Sequence, residues 1–236
     1  MSTLGNWRGP NIVKDGLLIY SDPSSPNSYY SLQGGTSLKD ISGNVNNGSL
    51  TNTPTFSTTV NGMFTFNGTS QYITFGNANQ LKITVGTISC WFRATSGNSS
   101  YRGIFVKQNA WGLFLVDNVL AAFDWGNYYA TNFNIAFGLR STGINLGTNT
   151  WTNVAMTFTE TIGNPSNNTI IYINGLPVFT TTTRNQDQLN PLHLAYANFT
   201  GQYLVGSIAQ SIVYNRVLTA SEIKQNFNAT RSRFGI

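Results

Sequence analysis

The clearest sign of the fold is the stretch IIYINGLPVF, residues 170–179. Two apolar runs flank Asn174-Gly175, a dipeptide that accepts the positive φ values required in a tight β-hairpin turn. Pro177 has no amide hydrogen to donate, so it places the returning strand at a sheet edge or at a bulge. The stretch therefore predicts an antiparallel hairpin whose second strand is not central in its sheet.

Short apolar runs separated by Gly, Asn, Ser and Pro continue along the whole chain. Val154, Met156 and Phe158 alternate with Ala155 and Thr157, so a strand would present the three larger side chains on one face. Such a face needs an opposing sheet to cover it, and the pattern predicts an all-β fold, a two-layer antiparallel β-sandwich. Further runs of this kind are residues 17–20, 64–66, 87–92, 112–116 and 207–214.

The period changes near the end of the chain. Thr219 and Glu222 have the spacing of a capping box, in which their side chains satisfy free amides at a helix start. Ile223 and Phe227, four residues apart, would give the helix one buried face. We expect one short helix near residues 220–228.

Length and composition favour one domain. All-β sandwiches commonly reach roughly 200 to 250 residues as one unit, and this chain has 236. Residues 1–14 carry little pattern and are interpreted as an N-terminal arm preceding a domain over 15–236. The 13 basic residues against 8 acidic ones give a formal charge of +5, too sparse a footprint to predict nucleic-acid binding. Four basic residues near the end are interpreted as a solvated face: Arg216, Lys224, Arg231 and Arg233.

The chain contains one cysteine, Cys90, so an intramolecular disulfide cannot form. Its apolar neighbours indicate a buried side chain. The first residues lack the apolar core of a signal peptide, and no segment approaches the ~20 apolar residues that span a bilayer. We expect neither membrane insertion nor export by a signal peptide.

Five segments resemble, in order, the laminin-G-like, concanavalin A-like jelly-roll family. They are residues 40–48 (DISGNVNNG), 66–73, 151–155, the 172–175 hairpin, and 206–218 running into 221–223. The match spans roughly Asp15 to Phe234 and implies the jelly-roll fold. The family includes lectins, adhesion modules, glycosidases and structural domains, so the resemblance is less specific for function.

Residues 9–13 (GPNIV) lead straight into the first strand, as in free-standing laminin-G-like proteins of tailed bacteriophages. This resemblance implies a non-enzymatic virion surface protein, in a head decoration, fibre or tail, assembled in the host cytoplasm. Its partners would be other virion subunits, docked through the terminal arm or through residues 231–236, and a host-surface glycan. The alternative is a lectin-like adhesion module, and a more remote one is a glycoside hydrolase.

Catalytic residues are hard to assemble from this sequence. Glycosidases use two carboxylates beside the scissile bond, whereas the chain has only two glutamates, Glu160 and Glu222. Where the family often carries an acidic pair after the Gly-x-Ile of its last strand, this chain has Ala209 and Gln210. His193, the one histidine, has the setting of a packed strand residue. We expect no enzyme activity and no cofactor.

Two stretches could bind a metal ion. Asp40, Ser42, Asn44 and Asn46 alternate in a way that could turn several oxygens toward Ca²⁺, and the same residues suit a pair of Asx turns. A second candidate, Asp124 with Asn127, is no stronger. Because the first set offers one carboxylate, the turn interpretation is favoured and no metal is assigned.

The predicted ligand-binding surface is the stretch from Phe123 to Tyr129, where aromatic rings adjoin polar groups near a turn at Gly126. Sugars stack on such rings while their hydroxyl groups bond to carboxylate and amide groups. The alternative is that the rings belong to the core or to a subunit contact. The candidate residues are Trp111, Asp124, Trp125, Asn127, Tyr128 and Tyr129.

Overall fold

The computed structural model describes residues 10–29, 35–95, 101–126, 138–159, 167–184 and 188–236. Sixteen strands and one α-helix are found in these ranges. The strands are β1 (Leu17–Ser21), β2 (Ser37–Leu38), β3 (Gly48–Thr51), β4 (Thr55–Ser57), β5 (Met63–Asn67), β6 (Tyr72–Gly76), β7 (Val85–Ala94), β8 (Arg102–Lys107), β9 (Trp111–Val116), β10 (Val119–Asp124), β11 (Gly138–Asn145), β12 (Thr152–Thr159), β13 (Thr169–Ile173), β14 (Leu176–Thr181), β15 (Leu192–Leu194) and β16 (Val205–Tyr214).

These strands form two antiparallel sheets. The first sheet has the order β14-β13-β12-β7-β16-β5-β4, with β1 also paired to β16. The second sheet has the order β11-β10-β9-β8-β15-β6-β3-β2. Many neighbours in each sheet are distant in sequence, as in a jelly roll. The predicted two-layer all-β sandwich is confirmed.

The hairpin at residues 170–179 forms as predicted. Its two strands are β13 and β14, and φ is 50° at Asn174 and 74° at Gly175. The register shifts next to Tyr172, which lies opposite Pro177, and β14 is the edge strand of the first sheet. Pro177 has no amide hydrogen, and on an edge strand the absence of this one donor destabilises the sheet little.

The hydrophobic core lies between the two sheets. Val154, Met156 and Phe158 of β12 are buried on one face, as the alternation predicts, and pack in the same cluster as Leu113 and Leu115 of β9. Apolar area buried in this way is the main favourable term in folding. Cys90 of β7 is buried in this cluster too, as expected.

One α-helix, α1 (Ala220–Thr230), follows the last strand, and the predicted capping box is present. The Thr219 hydroxyl accepts from the Glu222 amide, and the Glu222 carboxylate accepts from the Thr219 amide at 2.8 Å. Phe227 stacks on Trp91 of β7, with ring centroids 5.7 Å apart. The helix therefore covers the outer face of the first sheet.

Among the described residues, no helix combines the length and apolar character that crossing a bilayer requires.

The described part of the predicted arm packs on the domain. The Val13 amide donates to Asn226 Oδ1 at 2.8 Å, and the Tyr214 hydroxyl donates to the Val13 carbonyl at 2.9 Å. The Gln225 side chain donates to the Asn11 carbonyl at 2.7 Å. Residues 11–14 are thus held by α1 and β16.

Candidate functional site

The outer face of the second sheet carries a group of partly exposed aromatic side chains. Side chains alternate across a strand. On β15, Leu192 and Leu194 enter the core, so His193 points to the outer face. On β6, Ile73 enters the core, so Tyr72 also points outward. β15 and β6 are neighbours, and this brings the two outward side chains together.

Three tyrosines, Tyr72, Tyr196 and Tyr203, form what we call the tyrosine cluster. The Tyr196 and Tyr203 rings are stacked, with centroids 4.2 Å apart and planes 9° apart. The Tyr72 ring lies 4.9 Å from that of Tyr196 and 6.3 Å from that of Tyr203. All three side chains are half-buried. Together they offer a continuous aromatic surface to solvent.

The backbone after β15 holds two of these rings in place. Tyr196 and Tyr203 are partners in an isolated antiparallel bridge that closes a short loop. Arg102 of β8 clamps this loop, because its Nη1 donates to the carbonyls of Tyr203 at 2.9 Å and Gly201 at 3.2 Å. A Cβ atom at Gly103 would lie 2.5 Å from the Tyr196 backbone, so glycine permits this close packing.

His193 lies beneath the tyrosine cluster. Its side chain is 3% exposed, and its ring centroid is 5.1 Å from that of Tyr72, edge to face, and 5.4 Å from that of Tyr196. Neither Nδ1 nor Nε2 has a hydrogen-bond partner. Burial, and then the charge of Lys107, lower the pKa of His193 to about 4, so the ring is neutral at neutral pH. The prediction of a packed strand histidine is confirmed.

Lys107, at the end of β8, is also fully buried. Its Nζ donates to Asn77 Oδ1 and, at 2.6 Å, to the Asn190 carbonyl. The Asn190 side chain accepts from Asn198 Nδ2 at 3.0 Å. This hydrogen bond joins the surroundings of Lys107 to the loop that carries Tyr196. The ammonium group is therefore bonded to amide oxygens of the protein.

Two tryptophans that the sequence suggested as surface rings are buried. Trp111 is 1% exposed, stacks on Phe158 with centroids 5.4 Å apart, and donates from Nε1 to the Ile83 carbonyl at 3.2 Å. Trp125 is 3% exposed and packs against Phe123 and Phe114, at 5.1 Å and 6.1 Å between centroids. The expectation of an exposed Trp125 is wrong, because its ring packs in a buried cluster with Val106, Phe114 and Ala197.

Asp124, the residue before Trp125, is also buried. Its buried carboxylate forms ion pairs with Arg140 at 2.6 Å and Arg184 at 2.5 Å. The other carboxylate oxygen accepts from the amides of Gly126 and Arg184 at 2.9 and 3.0 Å. All of these contacts are internal, so Asp124 anchors the turn. Asn127, Tyr128 and Tyr129 lie outside the described residues, and their role in ligand binding stays a prediction.

The Asp40 carboxylate is occupied by its own turn. It accepts from the amides of Tyr20, Ser42 and Asn46 at 2.8–3.0 Å, and from the Ser42 hydroxyl at 2.8 Å. These are the contacts that the turn interpretation requires. In the part of the chain that the structure describes, no group of three or more His, Cys, Asp or Glu side chains could hold a metal ion.

Sequence reasoning missed the tyrosine cluster. Tyr72 is more than 120 positions from Tyr196, and no local motif joins them. The available signal was alternation: in β6 and β15 the apolar residues that enter the core alternate with Tyr72, Thr74 and His193. That pattern places each residue on a face without showing which strands are neighbours.

A family model described as the concanavalin A-like lectin/glucanases superfamily matches residues 67–224, more than half of the chain. No curated protein matches the chain. Among solved structures, the chain is similar to the binding domain of Paraclostridial Mosquitocidal Protein 1, at 17% identity and a TM-score of 0.70. That match covers 92% of this chain and 52% of the other, so this chain spans about half the length of that relative.

Two further structures are similar in fold. One is domain 4 of AbnA, a GH43 extracellular arabinanase from Geobacillus stearothermophilus in complex with arabinotriose, at 16% identity and a TM-score of 0.63, with 90% of this chain and 98% of that one covered. The other is Trypanosoma rangeli sialidase in complex with the inhibitor DANA, at 13% identity and a TM-score of 0.62, with 95% and 36% covered. Identities this low establish a shared fold alone.

Proposed function

We propose that this chain, which belongs to the concanavalin A-like lectin/glucanases superfamily, is a non-enzymatic module that binds carbohydrate on the outer face of its second sheet. The observation that carries the proposal is the tyrosine cluster of Tyr72, Tyr196 and Tyr203. The C–H faces of a sugar ring stack on aromatic rings, and tyrosine hydroxyls bond to sugar hydroxyls. The Tyr196 and Tyr203 rings are held by the pairing of their backbones and by their stacking on each other, so binding would order few side chains.

The similar structures give this proposal independent support. One is the binding domain of a mosquitocidal protein, and another is an arabinanase domain in complex with arabinotriose. The second of these is covered almost completely by the match, so it is a separate domain of the same size class. One of these structures is named for binding and the other contains a bound saccharide, and we extend the role of a saccharide-binding module to this chain.

The chemistry of the same face favours binding over hydrolysis. In the described strands of the second sheet, the one carboxylate is Asp124, and it is paired with Arg140 and Arg184. A glycosidase needs two carboxylates, one of them free to take up or deliver a proton. On β16, where the superfamily often has an acidic pair, Gln210 donates to Asp22 Oδ2 at 3.2 Å as part of the packing.

A glycan array probed with the purified chain tests the proposal. Affinity for a saccharide found there would be measured by calorimetry for the wild type, Tyr72→Ala and Tyr203→Ala. We expect each variant to bind about 5- to 150-fold more weakly, the loss typical of a truncated aromatic anchor. Leu176→Ala, an exposed change on β14 of the other sheet, is the control and should bind like the wild type. Absence of any glycan binding would refute the proposal.

We further propose that the module is carried on a bacteriophage virion, as a head decoration, fibre or tail component, where it contacts other virion subunits and a host-surface glycan. The support is the resemblance of residues 9–13 and the following strand to phage-borne proteins of this family. Mass spectrometry of purified particles tests this placement, because absence of the chain from them would remove it. Carbohydrate binding does not depend on this outcome.

A further inference from the structure

We infer that His193 is the polar anchor of the proposed site and that its imidazole hydrogen-bonds a hydroxyl group of a neutral saccharide stacked on the tyrosine cluster. The inference rests on the proposed function and adds to it a binding residue and a ligand class. Neither imidazole nitrogen of His193 has a hydrogen-bond partner, and Tyr72 and Tyr196 contact this side chain through their rings.

An unpaired imidazole is an unfavourable group at this position. A neutral imidazole has one donor and one acceptor, and a buried polar group without a partner loses its hydrogen bonds to water without replacement. The imidazole packs against the rings of Tyr72 and Tyr196, and an apolar ring would fill the same space without that cost. Residues that lower folding stability in this way are typical of functional sites.

The position of His193 suits a ligand that approaches from solvent. On the outer face it lies under Tyr72 and Tyr196, which are both half-buried and so partly accessible to solvent. We infer that movement of the Tyr72 ring opens a path from solvent to the imidazole while the Tyr196–Tyr203 stack stays in place, because side chains with an exposed surface change rotamer rapidly. A sugar ring stacked on Tyr203 could then extend a hydroxyl group toward the imidazole.

The cations near the cluster do not require an anionic ligand. The two cations near the cluster already bond to carbonyl and amide oxygens: Lys107 to Asn77 and Asn190, and Arg102 to the loop carbonyls. Neither has to be satisfied by a carboxylate of the ligand. A hydroxyl group is both donor and acceptor, so it matches the neutral imidazole of His193 in either tautomer.

The test combines stability and affinity for His193→Phe, which keeps a ring of similar volume and removes both nitrogens. We expect the melting temperature of His193→Phe to rise, because two unsatisfied polar atoms are lost, and its affinity for the neutral saccharide to fall at least tenfold. His193→Gln, which can donate and accept, should retain more affinity than His193→Phe. A purely structural histidine would leave the affinity unchanged when stability rises.

Nitrogen-15 NMR of the wild-type imidazole gives a second readout that needs no variant. Addition of the neutral saccharide found on the array should shift the Nδ1 or Nε2 resonance of His193, as a new hydrogen bond requires. If His193→Phe binds as tightly as the wild type while Tyr72→Ala binds weakly, the anchor is wrong and the proposed function stands. If the wild type binds only acidic saccharides, the neutral ligand class is wrong, and if it binds none, both proposals are wrong.

Discussion

Arg233 Nη1 donates to Asp22 Oδ1 at 2.7 Å, and the two side chains are only 10% and 6% exposed. The pair joins the 3₁₀ turn after α1 to the residue that follows β1. Arg233 also donates to the backbone carbonyls of Val60 and Gly62, and Phe234 stacks on Trp91 with centroids 4.0 Å apart. Residues 233 and 234 are therefore part of the folded domain rather than a free docking segment.

Replacing Arg233 by Ala should lower the free energy of unfolding by about 3 to 5 kcal/mol, because the Asp22 carboxylate would stay buried without its partner. Urea titration of both proteins measures the difference. Arg231→Ala is the matched control, since Arg231 is exposed and its loss should cost less than about 0.5 kcal/mol. Equal effects of the two changes would show that the buried pair contributes no special stability.

Replacing Trp125 by Ala should cost about 3 to 5 kcal/mol of unfolding free energy, because the ring is buried against Phe114 and Phe123. Thermal unfolding measures this loss. At a temperature where the variant is folded, its affinity for a saccharide should remain within a few-fold of the wild type. Phe199→Ala, at a site that is 60% exposed, serves as the stability control and should cost little. A selective loss of binding by Trp125→Ala would restore that ring to the ligand site.

Replacing Asp40 by Ala should lower the unfolding free energy by about 3 kcal/mol, because three backbone amides and the Ser42 hydroxyl lose their shared acceptor. Chemical denaturation checks this. In the same turn Val45 is exposed at φ 61°, a backbone conformation that suits Asn better than a β-branched residue. Val45→Asn should therefore leave stability unchanged or raise it. If Val45→Asn lowered the unfolding free energy as much as Asp40→Ala, the assignment of Asp40 as the acceptor that stabilises this turn would be wrong.

Chelation should leave the melting temperature unchanged, because the Asp40 carboxylate oxygens already accept from four donors of the protein. Calorimetry with and without EDTA measures this directly. A metal that stabilises a fold contributes its binding free energy to folding. A lower melting temperature in EDTA that added Ca²⁺ restores would show that the turn binds calcium.

Stability should fall as the pH drops from about 4.5 toward 2, in part because of Glu222. The hydrogen bond from Arg216, at 2.6 Å, together with those from Thr219, lowers the pKa of Glu222 to about 2 from its ordinary value of 4.5. The folded state thus favours the ionised form, and its stabilisation is present above 4.5 and lost below. Glu222→Gln should flatten the pH dependence in this range. An unchanged acid profile would contradict the assignment.

His193 should cause a second loss of stability on acidification, in a higher pH range than that of Glu222. Its pKa is about 4 in the folded state, whereas an unfolded histidine titrates near 6.5. The unfolded state therefore binds more protons between these values, and stability falls as the pH decreases from 6.5 to 4. The slope from one proton is at most about 1.4 kcal/mol per pH unit. His193→Phe should remove this slope, and a variant profile parallel to that of the wild type would count against it.

Local features of the fold were predictable because their interactions join residues close in sequence. The hairpin turn needs only positive φ at Asn174 and Gly175, and the capping box needs only Thr219 and Glu222 three positions apart. Alternation in β12 likewise placed Val154 on the core face. Each of these depends on local backbone geometry, so each survives in any fold that contains the segment.

The burial of Asp124 and Trp125 could not be predicted in this way, because burial depends on distant partners. Asp124 and Trp125 have the local composition of a sugar site, with polar and aromatic groups beside a turn. Arg140 and Arg184, 16 and 60 positions away, pair with the Asp124 carboxylate and make its burial possible. The local sequence around Trp125 contains no sign of these two residues.

The sequence by itself determined the layer architecture, the turn at Asn174-Gly175, the capped helix and the face on which each strand residue lies, because these follow from the alternation of side chains and from local turn and capping interactions. Only the tertiary structure decided that Tyr72 would meet Tyr196 above His193. That meeting requires β15 to pair with β6, and strand pairing is selected by the packing of the whole core rather than by the strands' own residues. A site built across neighbouring strands is therefore visible only once the sheet is assembled.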